Sequence, residues 1–203
     1  MKKLILLVAL VFAISNVASA AIITDVVRRN STNDPPVIAT NLQEDSLCFV
    51  DRTHEYNALP LVGIDYVQVA NNDKTVGAYE LDVTLGSSAT LYLVIDNRVG
   101  GTADTGGLGD WAGVDPDLST KMTWVTSMGF ADTGYDIGID EKGNGVIDKW
   151  SSVFSKDVPA GTITLLEQND GGGRNMYGVA AVPEPATLAL LGFGGLAMLR
   201  RKR

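Results

Sequence analysis

The sequence predicts an all-β fold, an antiparallel β-sandwich of jelly-roll type, set between an N-terminal signal peptide and a C-terminal transmembrane helix. Three observations predict it. Tyr79, Leu81, Val83 and Leu85 alternate with Glu80, Asp82 and Thr84, which is the period of a strand with one dry face and one wet face. Short apolar runs recur between turn signals at 71–73, 86–88, 143–145 and 171–173, where Gly, Asn and Asp supply turn conformations. No run long enough for a stable helix shows a helical period between residues 21 and 182.

The elements follow in chain order. Lys2 and Lys3 precede an apolar run over 4–14, followed by Ala18-Ser19-Ala20. Basic start, short apolar segment and small-residue site make a secretory signal, with cleavage by signal peptidase expected after Ala20. Residues 21–46 read as a leader, with an edge strand at 22–27 and a break at Asn33-Asp34-Pro35-Pro36. The β-sandwich domain is expected over 47–182. Its strands fall near 47–50, 65–69, 79–85, 91–95, 122–125, 146–154, 162–166 and 176–182. The 91–95 run is continuously apolar, as a central strand would be. Trp124 and Trp150 lie in strand-like runs and are expected in the core.

Composition excludes several functions. The chain has 203 residues, 45% of them hydrophobic and 20% charged, a globular profile. Residues 21–182 carry 10 basic against 23 acidic side chains, a net of −13, and 18 of the acids are Asp. Such a surface repels phosphate backbones, so a nucleic-acid partner is not expected. Cys48 and His54 are each the single residue of their type. An intramolecular disulfide, a multi-cysteine zinc site and any site with two histidine ligands are therefore excluded. No G-x-S-x-G turn accompanies the histidine. Cys48, within Leu47-Cys48-Phe49-Val50, reads as a small buried hydrophobe.

The C-terminal 183–203 segment has three parts. Pro183-Glu184-Pro185 is followed by an apolar run over 186–199 and then Arg200-Arg201-Lys202-Arg203. The run is 14 residues, or about 21 Å of helix, against a hydrocarbon core of about 30 Å. Snorkelling of the terminal cations and local thinning close that gap. Four consecutive cations argue against a buried core helix and act as a cytoplasmic membrane stop. VPEPATLALLGFGGLAMLRRKR resembles the PEP-CTERM sorting signal of Gram-negative bacteria that make extracellular polysaccharide. The resemblance implies that Pro183, Glu184 and Pro185 form a processing element recognised by exosortase, a membrane cysteine transpeptidase-like enzyme. It also implies export with transient anchoring in the inner membrane.

A second resemblance covers roughly 48–182. YVQVANNDK (66–74), LYLVIDNR (91–98), GFADTG (129–134), VPAGTITLLEQN (158–169) and NMYGVAA (175–181) are similar in order to β-sandwich accessory modules of secreted bacterial surface proteins and carbohydrate-active enzymes. That resemblance implies the fold and leaves the ligand open.

Two segments could bind a cation. Asp140, Asn144 and Asp148, with Gly145 at the sharp turn, follow the alternate-residue spacing of a calcium loop. Lys142 and Ser151 stand where that loop needs oxygen ligands, and this favours the competing reading, a hairpin turn with glycines at positive φ. The acidic 104–117 stretch, with Asp104, Asp110, Asp115 and Asp117 among glycines, could wrap a cation or lie solvated. Trp111 and Asp110 there are candidates for sugar binding, an indole face for the ring and a carboxylate for its hydroxyls. Calcium is thus the one cofactor the sequence suggests. No local signature singles out a pair of catalytic acids, so the chain reads as non-enzymatic. The expected role is structural or adhesive, at the cell envelope or in the polysaccharide matrix. A carbohydrate-binding module is the alternative, and a small secreted polysaccharide hydrolase is the third reading.

Overall fold

The structure is a computed structural model that describes residues 21–57, 59–101, 111–171 and 173–184. The expected signal peptide, Asp104, Asp110, Pro185, the apolar tail and Arg200 to Arg203 lie outside those residues. Among the described residues, eleven strands form two sheets: β1 (Ile23–Arg29), β2 (Val37–Ala39), β3 (Ser46–Leu47), β4 (Glu55–Asn57), β5 (Asp65–Gln68), β6 (Glu80–Leu85), β7 (Ala89–Asp96), β8 (Ala131–Asp140), β9 (Lys149–Val158), β10 (Gly161–Leu166) and β11 (Gly178–Pro183). The smaller sheet has the order β1-β6-β10, and the larger β2-β5-β11-β7-β9-β8-β4-β3. All strand pairings within the two sheets are antiparallel.

The alternation in β6 is the clearest link from sequence to packing. Tyr79, Leu81, Val83 and Leu85 are almost fully buried, while Glu80 and Asp82 reach the wet side and pair with Arg29 on β1. Each such apolar side chain contributes about 1.5–3 kcal/mol on burial. On the larger sheet, Leu91 pairs with Ala181, and Leu93 with Val179 and Phe154. These residues share one buried face. The other face carries Tyr56, Tyr66, Val94 and Val153, also buried. There the 42–64 segment returns over the sheet, tied by Leu42 N to Ile64 O at 3.0 Å and Gly63 N to Leu42 O at 2.8 Å.

Residues 21–46 supply edges to both sheets. β1 pairs with β6 and β2 with β5. Buried Asp73 holds this segment down, accepting hydrogen bonds from Ser31 Oγ at 2.5 Å and Asn33 Nδ2 at 2.6 Å, with Arg28 at 3.7 Å.

Several expected elements differ. The 122–125 run is not a strand: it enters a one-turn helix, α1 (Trp124–Ser127). A four-residue apolar run carries no period of its own, and here tertiary contacts decide. Trp124 is buried, meets Phe130 and Tyr177 edge-on, and donates from Nε1 to Glu167 O at 2.9 Å. Trp150 sits on β9 but is only half-buried. The strand expected from 146 begins at Lys149, and β8 was not foreseen as a strand. Its polar outer residues and the interruption at Gly134 obscure the alternation.

Candidate functional site

The sites read from sequence fall in three places. Pro183 ends β11, opposite Ala89, and Glu184 N donates to Ser88 O at 3.3 Å. Trp111 is half-buried at φ 60°, and its carbonyl accepts Asn97 Nδ2 at 3.0 Å. Its ring lies beside Gly101, where a Cβ would stand 3.7 Å from the indole. Asp110 lies outside the described residues, so its relation to Trp111 is not drawn.

Asp140, Asn144 and Asp148 meet in the turn between β8 and β9. Asp140 is buried and accepts Lys142 N at 2.9 Å, Asn144 N at 2.7 Å and Gly145 N at 2.5 Å. Burial alone would raise its carboxyl, but these donors, with Gly143 N, hold it below the ordinary range. Asp148 accepts Glu141 N at 3.0 Å and pairs with the Lys142 ammonium. Gly143 and Gly145 take φ 62° and 78°, as the hairpin reading requires. Lys142 therefore neutralises the acid that a cation would use. Among the described residues, no group of three or more His, Cys, Asp or Glu side chains is placed to hold a metal.

Beside this turn a polar cluster closes the same end of the sandwich. Asp96 accepts Arg98 Nη2 at 2.5 Å and Asn175 N at 2.7 Å, and Glu141 accepts Arg98 Nη2 at 3.2 Å and Asn175 Nδ2 at 3.0 Å. Burial works against the Arg98 charge, but Asp96 and Glu141 hold its pKa above the usual value. His54 packs edge-on against Phe49, with centroids 5.7 Å apart. Burial lowers its pKa first; Glu141 opposes, and Arg52 reinforces the shift. The imidazole thus favours its neutral form. Hydrogen bonding within the cluster joins the chain after β7, the end of β8 and the strand entering β11, which is a structural role.

A cleft of about 430 Å³ opens elsewhere, on the face of the larger sheet beside the 42–64 segment. Its lining is Pro60, Leu61, Tyr92, Thr133, Tyr135, Val153 and Ser155. The volume falls within the roughly 300–1,000 Å³ of small-molecule sites. Its shape comes from a local irregularity. The β8–β9 register shifts between Asp132 and Asp136, and Gly134 takes φ 72°. Thr133 Oγ1 donates to Val153 O at 2.7 Å, and Gly134 N to Asp132 Oδ1 at 2.8 Å. This bulge turns Tyr135 outward, 61% exposed. Bulges re-aim side chains in this way. Tyr92, half-buried on β7, pairs with Ser155 across the strands. Burial first, and the Asp157 charge second, keep its phenol protonated. No hydrogen bond from another described residue engages the Tyr92 or Tyr135 hydroxyl or Ser155 Oγ. Among the described residues, the lining has no charged side chain. The sequence concealed this site: Tyr135 follows Thr133-Gly134 in a run without alternation, and Tyr92 lies inside an apolar strand. Gly134 was the one local signal of a bulge.

Fold and site together define an all-β sandwich module with an aromatic cleft on the face of its larger sheet. Residues 181–203 match the PEP-CTERM protein-sorting motif. Among solved structures, a β-glucuronidase of glycoside hydrolase family 2 is similar with a TM-score of 0.55 at 18% identity, over 78% of this chain and 14% of that one. A GH138 enzyme targeting pectin rhamnogalacturonan II gives a TM-score of 0.44 at 14% identity, over 79% and 16%. The chain thus spans a small part of either enzyme, and the first likeness shows the β-sandwich fold. No curated protein matches the chain.

Proposed function

We propose that this chain is an exported, exosortase-processed β-sandwich protein with a structural or adhesive role at the cell envelope or in the extracellular matrix. The observation that carries this reading is the sorting motif directly following a folded, strongly acidic domain. The motif implies export and transient anchoring through the tail. In the native host, the mature protein begins at Ala21 and lacks the tail after about Pro185. Intact-mass measurement on the secreted protein, from cells with and without the sorting peptidase, tests this. Retention of the Arg203 end on secreted protein in the wild-type host would sink it.

The cleft favours a second reading, carbohydrate binding. Two tyrosines and unengaged hydroxyls with no charge suit a neutral sugar: apolar ring faces lie on aromatics, and sugar hydroxyls bond to the free donors and acceptors. Among the described residues no carboxylate lines the cleft, and a glycosidase needs an acid pair, so this reading is of binding. Affinity electrophoresis through neutral and through anionic polysaccharide gels tests it. Retardation in a neutral gel that Tyr135→Ala abolishes is expected. Equal mobility in every gel would remove the second reading and leave the first standing.

A further inference from the structure

The two ends of the sandwich differ in chemistry, and the tail leaves from one of them. β11 runs down the larger sheet between β5 and β7 and finishes at Pro183 opposite Ala89. Ala89 in turn pairs with Val158. The tail end is therefore built from the 86–88 turn, the 159–160 turn and the start of β1, where Gly86 N donates to Ile22 O at 2.9 Å. Its turn residues are Gly86, Ser87, Ser88, Pro159 and Ala160, without a charge. Asp65, Asp157 and Glu184 lie at this end: the Asp65 carboxylate accepts Ile22 N at 2.6 Å and Ile23 N at 3.3 Å, that of Asp157 accepts Thr90 Oγ1 at 2.7 Å, and Glu184 is exposed.

The opposite end holds Asp96, Asp117, Asp140, Glu141, Asp148 and Asp170, at the ends of β7 and β8, in the loops that follow them and in the loop before β11; Arg98, Lys142 and Arg174 pair with four of these acids. β7 has 8 residues, so at about 3.3 Å per residue the two ends stand roughly 26 Å apart. That is more than twice the Debye length of about 8–10 Å at physiological salt. The acidic loops therefore lie beyond electrostatic reach of anything against the tail end.

The connection to the membrane signal is short. Glu184 is still tied to Ser88, and the apolar run starts at Ala186. From Glu184 to Ala186 the chain can span only about 7 Å. A run anchored in the bilayer thus leaves no linker over which the domain could stand away.

We infer that, while the tail is uncut, the sandwich rests directly on the lipid headgroups through its 86–88 and 159–160 turns, with its acidic loops pointed away from the bilayer. This rests on the tail being a membrane-inserted sorting signal. The turns themselves carry no charge. The processing element is then presented as the end of a folded strand at the headgroup level.

The test uses the uncleaved chain, 21–203, reconstituted in phosphatidylcholine vesicles containing some phosphatidylglycerol. In a Cys48→Ala background, a fluorophore is placed through Ser87→Cys, Ala160→Cys or Asn144→Cys, and headgroup spin-labelled lipid serves as quencher. Vesicle flotation and far-UV circular dichroism confirm that each variant is inserted and folded. The expected result is several-fold stronger quenching at 87 and 160 than at 144, abolished by a long Gly/Ser insertion after Glu184. Equal, weak quenching at all three sites in floating vesicles overturns the inference and leaves the tail reading intact. Failure of the chain to float overturns both.

Discussion

Three buried tyrosines set an alkaline limit on stability. Tyr56, Tyr79 and Tyr177 have phenol pKa values raised above the ordinary value, in each case chiefly by burial. The unfolded phenol ionises near pH 10, while the folded one stays protonated. Their contribution is fully present below about pH 10 and is lost as pH rises further, because the unfolded state releases protons that the folded state keeps. Tyrosinate absorbance from these residues should appear together with loss of the circular dichroism signal. Ionisation of all six tyrosines before unfolding would contradict it. Asp73 makes a second prediction. Asp73→Ala removes the acceptor for Ser31 and Asn33 and the charge facing Arg28. It should cost on the order of 3 kcal/mol in a urea titration, and a cost near zero would make the contact incidental. Single residues were legible where local pattern is enough. The burial of Leu81, Val83 and Leu85 follows from alternation, and that of Cys48 from its apolar neighbours. The role of Asp73 was not legible, because its partners lie about forty residues away along the chain.

At the scale of elements, β6 is the element read most fully, and its neighbour β1 offers the clearest test. β1 covers one edge of β6 through pairs from Ile23 opposite Leu85 to Arg29 opposite Glu80. Removing residues 21–29 would expose a row of unpaired backbone donors and acceptors on a strand of the core, a template for association. The shortened protein should be less soluble and melt well below the full domain. An unchanged melting curve would show that residues 21–29 contribute nothing to the fold. Strands with a clean period or a continuous apolar run were visible in the sequence, as β6 and β7 show. α1 and β8 were not. α1 is fixed by Trp124 reaching Glu167 and Tyr177, and β8 by pairing to β9 across a bulge. The segments behind the accessory-module resemblance gain a physical meaning from the structure. They contain β10 and most of β5, β7 and β11, together with buried amides at the strand ends. Asn71 accepts Met176 N at 2.8 Å, Gln168 accepts Tyr177 N at 3.0 Å, and Gln168 Nε2 donates to Asn175 O at 3.0 Å. Buried polar groups of this kind need their partners, so those short sequences describe one stitched end of the sandwich. The aromatic cleft stayed hidden for the same reason as β8, since the bulge that shapes it is a property of the pairing.

For the molecule as a whole, the dominant quantity is the net charge of −13 on residues 21–182. Like charges oppose compaction, and several acids concentrate in the loops at one end. Raising sodium chloride should raise the melting temperature, because screening weakens repulsion without needing a site. A bound cation would act differently. It favours the folded state by mass action, about 2.7 kcal/mol at a hundredfold excess over its dissociation constant. Calcium is the cation the sequence suggested, and the 140–148 turn sets its terms. Asp140 is already engaged by three backbone donors, and the Lys142 ammonium lies against Asp148. A calcium ion there would have to displace that ammonium. Melting curves at fixed high ionic strength, with calcium, magnesium or chelator, separate the two effects. If the turn takes calcium, a calcium-specific rise should appear that magnesium does not match, since magnesium demands a stricter octahedral shell. Lys142→Ala should then enlarge that rise by removing the competitor, and Asp148→Ala should abolish it. A calcium rise indifferent to both substitutions moves the site to the acidic 104–117 stretch. No calcium rise at all, alongside a clear sodium effect, leaves the turn as a hairpin closed by its own lysine and the acidity as solvated surface charge.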